Sequence, residues 1–157
     1  MAHVHEGGDD ATGMRFAIVV ARFNDFITNP MLEACLGTLE ERGATGTDID
    51  VYWVPGAFEI PVVAQRAARG GHYDAIICLG AVIQGETDHY RLVADESASG
   101  IARVSLEFGI PCIFEVLATP TTALAVARAG GESGNKGEDA AYAAIETARV
   151  LMAVRET

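Results

Sequence analysis

The sequence is poor in basic residues and has no long apolar run. Of its 157 residues, 11 are Lys or Arg and 22 are Asp or Glu, which gives a formal net charge of −11. A surface this acidic repels phosphate backbones, which argues against nucleic-acid binding. No apolar stretch reaches the roughly 20 residues that a membrane-spanning helix needs. These absences argue against partnership with nucleic acids or membranes.

Cysteines and cofactor motifs are also scarce. Cys35, Cys78 and Cys112 are far apart and form no C-x-x-C pair, so we expect reduced, inert core thiols. His3 and His5 have no other ligand types near them, and no metal site is expected. The sequence contains no G-x-G-x-x-G, no P-loop and no G-x-S-x-G elbow. The absence of these motifs argues against a dinucleotide-binding protein, a P-loop protein and an α/β-hydrolase.

The composition is that of a folded chain with a polar start. Half of the residues are hydrophobic and 21% are charged, which is typical of a chain that buries a sizeable core. Residues 1–13 are polar and Gly-rich, unlike the basic and then apolar start of a signal peptide. We expect residues 1–13 to be a flexible segment, residues 14–157 to form a single domain, and the protein to be cytoplasmic.

Short β-like runs alternate with longer helical patterns along the chain. Strands are predicted at 14–21, 49–54, 74–83 and 111–117. Helices are predicted at 29–42, 58–69, 90–108 and 120–129, and from the Gly-rich loop at 132–137 to about 154. This alternation implies parallel pairing and right-handed crossovers. The predicted fold is α/β, a flavodoxin-like three-layer α/β/α sandwich around a four-stranded parallel sheet.

Polar residues follow the predicted strands at the edge where open α/β sheets bind ligands. The third strand leads into Gly-Glu-Thr-Asp-His at 85–89. If residues 85–87 open a helix, their free N–H groups form an anion site, and His89 beside it can exchange protons near neutral pH. The alternative is an ordinary polar loop that carries a surface histidine.

Four further side chains near this edge each have two interpretations. Phe23 is either a core aromatic or an exposed ring that stacks on a planar heterocycle. Glu59 is either a partner of a helix dipole or an acceptor of hydrogen bonds from sugar hydroxyls. Arg128 and Lys136 are either solvated charges, the second in a turn, or part of an anion site.

Six short segments taken together resemble the 6,7-dimethyl-8-ribityllumazine synthase family. They occur in the family's order and spacing between about Met14 and Val154, and they are RFN at 22–24, PGAFEIP at 55–61, GAVI at 80–83, GETDHY at 85–90, RAG at 128–130 and GNKG at 134–137. The resemblance implies a transferase that condenses 5-amino-6-(D-ribitylamino)uracil with 3,4-dihydroxy-2-butanone 4-phosphate, in the penultimate step of riboflavin biosynthesis. No cofactor or metal is implied.

The resemblance also implies roles for individual residues. His89 is the proton carrier, Arg128 meets the substrate phosphate together with Glu86 and Thr87, and Phe23 stacks on the pyrimidine. Further substrate-binding residues implied by the resemblance are Asn24, Ala57, Phe58, Glu59, Ala81, Val82, Ile83, Phe114 and Lys136. Among these, Phe114 closes the pocket, often against a neighbouring subunit.

The chain departs from the family at three positions near the implied phosphate site. Gln84 stands where Arg or Lys is frequent, Glu115 replaces a usual glycine, and Ala118 replaces a usual threonine. An additional carboxylate and a missing basic side chain weaken phosphate affinity if the side chains at these positions point into the site.

The family resemblance further implies a homopentamer whose sites are shared between neighbours. The short loop at 130–137 favours assembly of pentamers into a 60-subunit shell. The alternative to an enzyme is a non-catalytic paralogue that binds ribityllumazine or flavin, or that mainly forms a shell. The presence of both His89 and Arg128 argues against that alternative.

Overall fold

The computed structural model describes residues 1–154, in which strands and helices alternate. The elements in chain order are β1 (Phe16–Ala21), α1 (Asp25–Glu41), β2 (Ile49–Val54), α2 (Ile60–Gly70), β3 (Ala75–Ile83), α3 (His89–Phe108), β4 (Cys112–Thr119), α4 (Thr122–Ala127), β5 (Ala129–Gly131), β6 (Gly134–Asn135) and α5 (Lys136–Ala153). Short 3₁₀ turns cover Gly46–Asp48 and Ala57–Glu59. The end of the predicted domain, residues 155–157, lies outside the described residues.

A parallel sheet organises the molecule. Within residues 1–154, four strands pair in the order β2-β1-β3-β4. All six residues of β1 are buried, because the sheet is covered on both faces. This double burial explains why β1 is a continuous apolar run without alternation. The predicted flavodoxin-like α/β/α sandwich around a four-stranded parallel sheet is confirmed.

Two hydrophobic layers hold helices against the sheet. Phe16, Ile18 and Val20 of β1 belong to the layer that includes α1 and α5. Ala17 and Val19, on the opposite face, belong to the layer with α2 and α3. The alternation of side chains along one strand thus supplies both cores.

Helix α1 begins earlier than the sequence predicts. The expected start was residue 29 with Pro30 in the first turn, but the helix starts at Asp25 and Pro30 lies inside it. The backbone carbonyl of Asn24 accepts hydrogen bonds from the N–H groups of Ile27, at 2.9 Å, and Thr28, at 3.1 Å. These bonds begin the helix one turn before the proline, whose preference for first turns suggested the later start.

Other boundaries differ at the C-terminal side of the sheet. Strand β4 runs to Thr119 instead of residue 117, and α4 is confined to Thr122–Ala127. The end of the predicted helix and the loop predicted after it instead form a small antiparallel hairpin of β5 and β6. The backbone N–H of Lys136 donates to the carbonyl of Arg128 at 2.8 Å, which ties the two sides of this hairpin together.

The N-terminal segment contacts the helices of one face. Arg42 Nη1 lies 3.2 Å from Asp9 Oδ2, and Arg149 donates to the backbone carbonyls of Asp10 and Thr12. Ala11 is fully buried. The flexibility of residues 1–13 and the cytoplasmic location stay predictions. Among the described helices, none combines the length and the apolar character needed to cross a membrane.

The three cysteines are free thiols in or near the core. Cys35 and Cys78 are buried and Cys112 is half-buried. Burial raises the pKa of Cys35 to about 12 and that of Cys112 to about 11. Because the thiolate is the reactive form, these groups are unreactive near neutral pH, as the sequence predicted.

Two glycines provide a test of how closely α1 and α5 pack. A Cβ on Gly137 would overlap the backbone carbonyl of Met31, whereas a Cβ on Gly37, in the interior of α1, would meet no atom within 4 Å. We expect Gly137→Ala to lower the free energy of unfolding by about 1–3 kcal/mol. Gly37→Ala should raise it by about 0.5–1 kcal/mol through helix propensity. Urea unfolding at one fixed protein concentration measures both, and equal effects would contradict the described packing.

Candidate active site

An open cleft of about 750 Å³ lies at the C-terminal edge of the sheet. Its volume is in the range of small-molecule sites. The loops after β1, β2 and β3 and the first turn of α3 supply its walls. The lining residues are Phe23, Pro55, Gly56, Ala57, Phe58, Glu59, Ala81, Val82, Ile83, Gly85, Thr87, His89, Tyr90, Leu92 and Val93. The walls are mainly apolar, with a carboxylate, hydroxyl groups and an imidazole among them.

The loop after β1 presents an aromatic ring to the cleft. The N–H groups of Arg22 and Phe23 donate to the carbonyls of Val54, at 2.8 Å, and Pro55, at 2.9 Å, so the pairing of β1 with β2 continues past both strands. The Phe23 side chain is 71% exposed. It is therefore not a core aromatic, and its face is open to a planar ligand.

Asn24 connects this loop to strand β3. Its backbone has a left-handed conformation with φ 64°, and its side-chain Nδ2 donates to the carbonyl of Ala81 at 2.8 Å. Thr28 Oγ1 donates to the carbonyl of Ala21 at 2.8 Å. Asn24 does not line the cleft, but it connects the Phe23 loop to β3, which forms the cleft floor.

The loop after β2 contributes backbone and a carboxylate. Residues Ala57–Glu59 form a 3₁₀ turn before α2, so the helix starts at Ile60 instead of residue 58. Phe58 is exposed, whereas Glu59 is half-buried and its side chain makes no capping hydrogen bond. The oxygens of Glu59 are therefore available to a ligand that carries hydroxyl groups.

The loop after β3 has a different form from the one expected. Helix α3 begins at His89, so residues 85–88 precede the helix and are not its first turn. The expectation that residues 85–87 open this helix is therefore wrong, and the binding of an anion by their N–H groups stays a prediction. Thr87 and His89 line the cleft, whereas Glu86 is exposed and does not. The His89 N–H lies 3.4 Å from Thr87 Oγ1.

The cleft brings together most of the residues implied by the resemblance, and others lie elsewhere. Those that line it are Phe23, Ala57, Phe58, Glu59, Ala81, Val82, Ile83, Thr87 and His89. Phe114, Arg128 and Lys136 are outside the lining, on β4, at the end of α4 and at the start of α5. No Lys or Arg is among the described lining residues.

The residues outside the cleft are partly exposed, and the two basic side chains among them already have partners within the chain. Phe114, on the edge strand β4, is 42% exposed. Arg128 Nη1 donates to the carbonyl of Leu124 at 2.9 Å, and Lys136 Nζ lies 3.2 Å from Asp139 Oδ2. Burial raises the pKa of Glu115, the attraction of Lys136 lowers it, and Asp139 raises it.

Sequence reasoning assigned no role to four lining residues. Pro55 and Tyr90 lie inside the quoted segments, but Leu92 and Val93 lie outside them. The signal that could have found these last two is their helical spacing from His89, since residues three and four positions apart share a helix face.

One comparison with known proteins bears on this site. The family model described as 6,7-dimethyl-8-ribityllumazine synthase matches residues 13–152 of the chain. The match spans nearly the whole sequence, including every loop that lines the cleft and the region of Phe114, Arg128 and Lys136.

The Asn24 tether can be tested by two substitutions. Asn24→Gly keeps the left-handed backbone but loses the side-chain hydrogen bond, whose net contribution is about 1 kcal/mol. Asn24→Ala also loses this hydrogen bond and, in addition, puts a Cβ on a left-handed backbone. It should therefore lower the free energy of unfolding by about a further 1 kcal/mol. Thermal or urea unfolding of the two variants measures the difference. If alanine were tolerated as well as glycine, the left-handed conformation would not matter for stability.

Proposed function

The chain belongs to the 6,7-dimethyl-8-ribityllumazine synthase family, and we propose that it condenses 5-amino-6-(D-ribitylamino)uracil with 3,4-dihydroxy-2-butanone 4-phosphate. The products are 6,7-dimethyl-8-ribityllumazine, phosphate and two molecules of water. Membership makes the chain an enzyme, a transferase of riboflavin biosynthesis that acts on small molecules. The two specific substrates and the roles of individual residues belong to our proposal.

The observation that carries the proposal is the arrangement of three side chains along one cleft. The exposed ring of Phe23 comes from the loop after β1, the carboxylate of Glu59 from the 3₁₀ turn before α2, and the imidazole of His89 from the first residue of α3, and all three line the same cleft. A planar pyrimidine with a hydroxylated side chain needs a stacking face and hydrogen-bond acceptors. Its reaction needs a group that can give and take protons near neutral pH.

The proposed reaction proceeds through proton transfers. The primary amine of the uracil attacks the ketone, and loss of water gives an imine. Loss of the proton on the neighbouring carbon and elimination of phosphate then leave an enol, which tautomerises to a new ketone. The second amine attacks this ketone, and loss of a second water closes the ring. Holding both substrates in the cleft can supply about 7–11 kcal/mol of the acceleration, and proton transfer at His89 adds about 10²–10⁴-fold.

We also propose that the cleft is completed by a neighbouring copy of the chain. The second substrate carries a phosphate, yet no basic side chain is among the described residues that line the cleft. Arg128 and Lys136, whose backbones are hydrogen-bonded to each other, offer positive charge outside the cleft, and the exposed Phe114 lies on the edge strand β4. A contact between these two unlike surfaces is heterologous, and such contacts form a ring when the rotation between copies closes, as in the homopentamer implied by the family.

Assembly into a 60-subunit shell is a further part of the proposal. The β5–β6 hairpin keeps the connection between its strands to residues 132–133, which agrees with the short loop of shell-forming members. A cytoplasmic location also belongs to the proposal. The alternative, a paralogue that binds ribityllumazine or flavin without chemistry, would keep Phe23 but has no use for His89 at the cleft.

Lumazine fluorescence formed from the two substrates tests the function. We expect turnover by the wild-type chain, and a drop in kcat of about 10²–10⁴-fold in His89→Ala with KM changed little, because the substrates still stack and bind. His72→Ala removes an exposed histidine just after the C-terminal end of α2, outside the residues that line the cleft, and serves as the control. No product from the wild type would favour the non-catalytic alternative, and an unchanged rate in His89→Ala would remove that residue from the mechanism.

Mixing of two inactive variants tests whether sites are shared. In the proposed shared site, one copy of the chain supplies His89 and the neighbouring copy supplies Arg128, so His89→Ala and Arg128→Ala alter different copies. Random co-assembly should therefore restore about a quarter of the wild-type sites. The measurement is activity after co-expression, compared with the separately purified variants. Failure of mixed assemblies to exceed the separate variants would mean that both residues act within one chain.

A further inference from the structure

The loop after β1 has side-chain contacts on two sides. Arg22 Cζ lies 5.8 Å from the centre of the Trp53 ring, a distance at which a cation interacts with an aromatic face. The next residue, Phe23, instead lines the cleft together with Ala57 and Val93, which belong to or pack against the layer of α2 and α3. The loop therefore has a cleft side, where Phe23 lies, and a reverse side, where Arg22 meets Trp53.

The sheet register places Trp53 on the reverse side independently of the Arg22 contact. Trp53 of β2 pairs with Val20 of β1, whose side chain lies in the layer of α1 and α5. Side chains at the same register position of neighbouring strands share a face of the sheet. The Trp53 ring is thus on the face opposite to the α2–α3 layer, across the loop from the cleft.

The end of β2 anchors the loop that carries Phe23. The N–H groups of Arg22 and Phe23 donate to the carbonyls of the two residues that follow Trp53. The Phe23 side chain is 71% exposed, so little packing fixes its ring directly. The position of the ring depends on the backbone of its loop, and the contact of Arg22 with Trp53 joins that loop to β2 through side chains as well.

We propose that Trp53 is a positioning residue that acts through the guanidinium of Arg22 and holds the Phe23 loop in the orientation that receives a planar pyrimidine. The proposal rests on the proposed function, in which Phe23 stacks on that ring. Trp53 itself does not touch the substrate, because it lies on the reverse side of the loop. Without the contact, a smaller fraction of the molecules presents the Phe23 ring to the cleft, and the apparent affinity for the uracil falls by that fraction.

Substitution of Trp53 should affect one substrate and not the other. We expect Trp53→Leu to raise the KM for 5-amino-6-(D-ribitylamino)uracil by about 2–5-fold, the size of an exposed cation–aromatic contact. The kcat and the KM for the butanone phosphate should change little. Trp53→Phe keeps an aromatic face that attracts a cation less strongly, and it should give a smaller rise than Trp53→Leu.

Tyr52→Leu is the matched control on the same strand. Tyr52 is 39% exposed and Trp53 is 37% exposed, but Tyr52 pairs with Val19 on the α2–α3 face and is hydrogen-bonded to Tyr73. Its replacement disturbs β2 without touching Arg22, so the KM for the uracil should stay at the wild-type value. Equal effects of Tyr52→Leu and Trp53→Leu would identify a general weakening of β2 and overturn the proposal.

A double variant decides whether Trp53 acts through Arg22. Arg22→Ala should raise the KM for the uracil by a similar factor, and Trp53→Leu should add nothing further in the Arg22→Ala background. Multiplied effects in the double variant would show that the two residues act separately, which would contradict the proposal. Arg22→Ala changes an exposed side chain and supplies the test by itself if Trp53→Leu does not fold.

Measurements without substrate separate this proposal from the proposed function. Trp53 is the single tryptophan of the chain, so its fluorescence reports the contact. Arg22→Ala should increase quenching of this emission by acrylamide, because the guanidinium no longer covers the ring. Arg66→Ala, which removes an exposed arginine of α2, should not. Hydrogen exchange in the peptide that contains Phe23 should become about 2–5-fold faster in Trp53→Leu and stay unchanged in Tyr52→Leu.

The two sets of measurements can fail separately. Faster exchange in Trp53→Leu, with no lumazine formed by the wild type, would reject the proposed reaction and keep the role of Trp53 in holding the loop. Lumazine formation by the wild type, with unchanged quenching in Arg22→Ala and an unchanged KM for the uracil in Trp53→Leu, would keep the reaction and reject the positioning role.

Discussion

The parallel pairing of β1 with both of its neighbours is the constraint on which the site depends. The β1 strand is buried on both faces and aligned residue by residue with β2 and β3, so these three strands end at one edge. The loops that follow them must then leave the sheet side by side. Segments far apart in sequence, with Phe23 in the first and His89 in the third, thereby reach one cleft.

Backbone hydrogen bonds, more than side-chain pairs, hold the groups of the site in position. The pairing of β1 with β2 extends through Arg22 and Phe23, and the Asn24 amide joins the same loop to β3. On the other side of the molecule, the bond from Lys136 to the Arg128 carbonyl orders the two basic residues. Such preorganisation lets exposed side chains keep a defined geometry without being packed in the core.

The distribution of charge gives the molecule two unlike surfaces. The cleft offers an aromatic ring, a carboxylate and an imidazole, and the β4 side offers Arg128 and Lys136 beside acidic groups. A chain with a net charge of −11 needs local positive charge to bind an anionic substrate. In our proposal a neighbouring copy supplies that charge, so assembly becomes a condition for catalysis.

The sequence alone determined the fold class and the identity of the strand-end loops. Apolar runs such as Phe16–Ala21 mark buried strands whatever their neighbours are, and short motifs keep their spacing within one loop. The early start of α1 at Asp25 was missed, because its cap is a backbone conformation of Asn24 that side-chain preferences do not reveal. Only the tertiary structure decided which loops meet. It separates Arg128 from His89 in one chain because distances between loops follow from the pairing order of the strands and the packing of helices on them, which no local pattern contains.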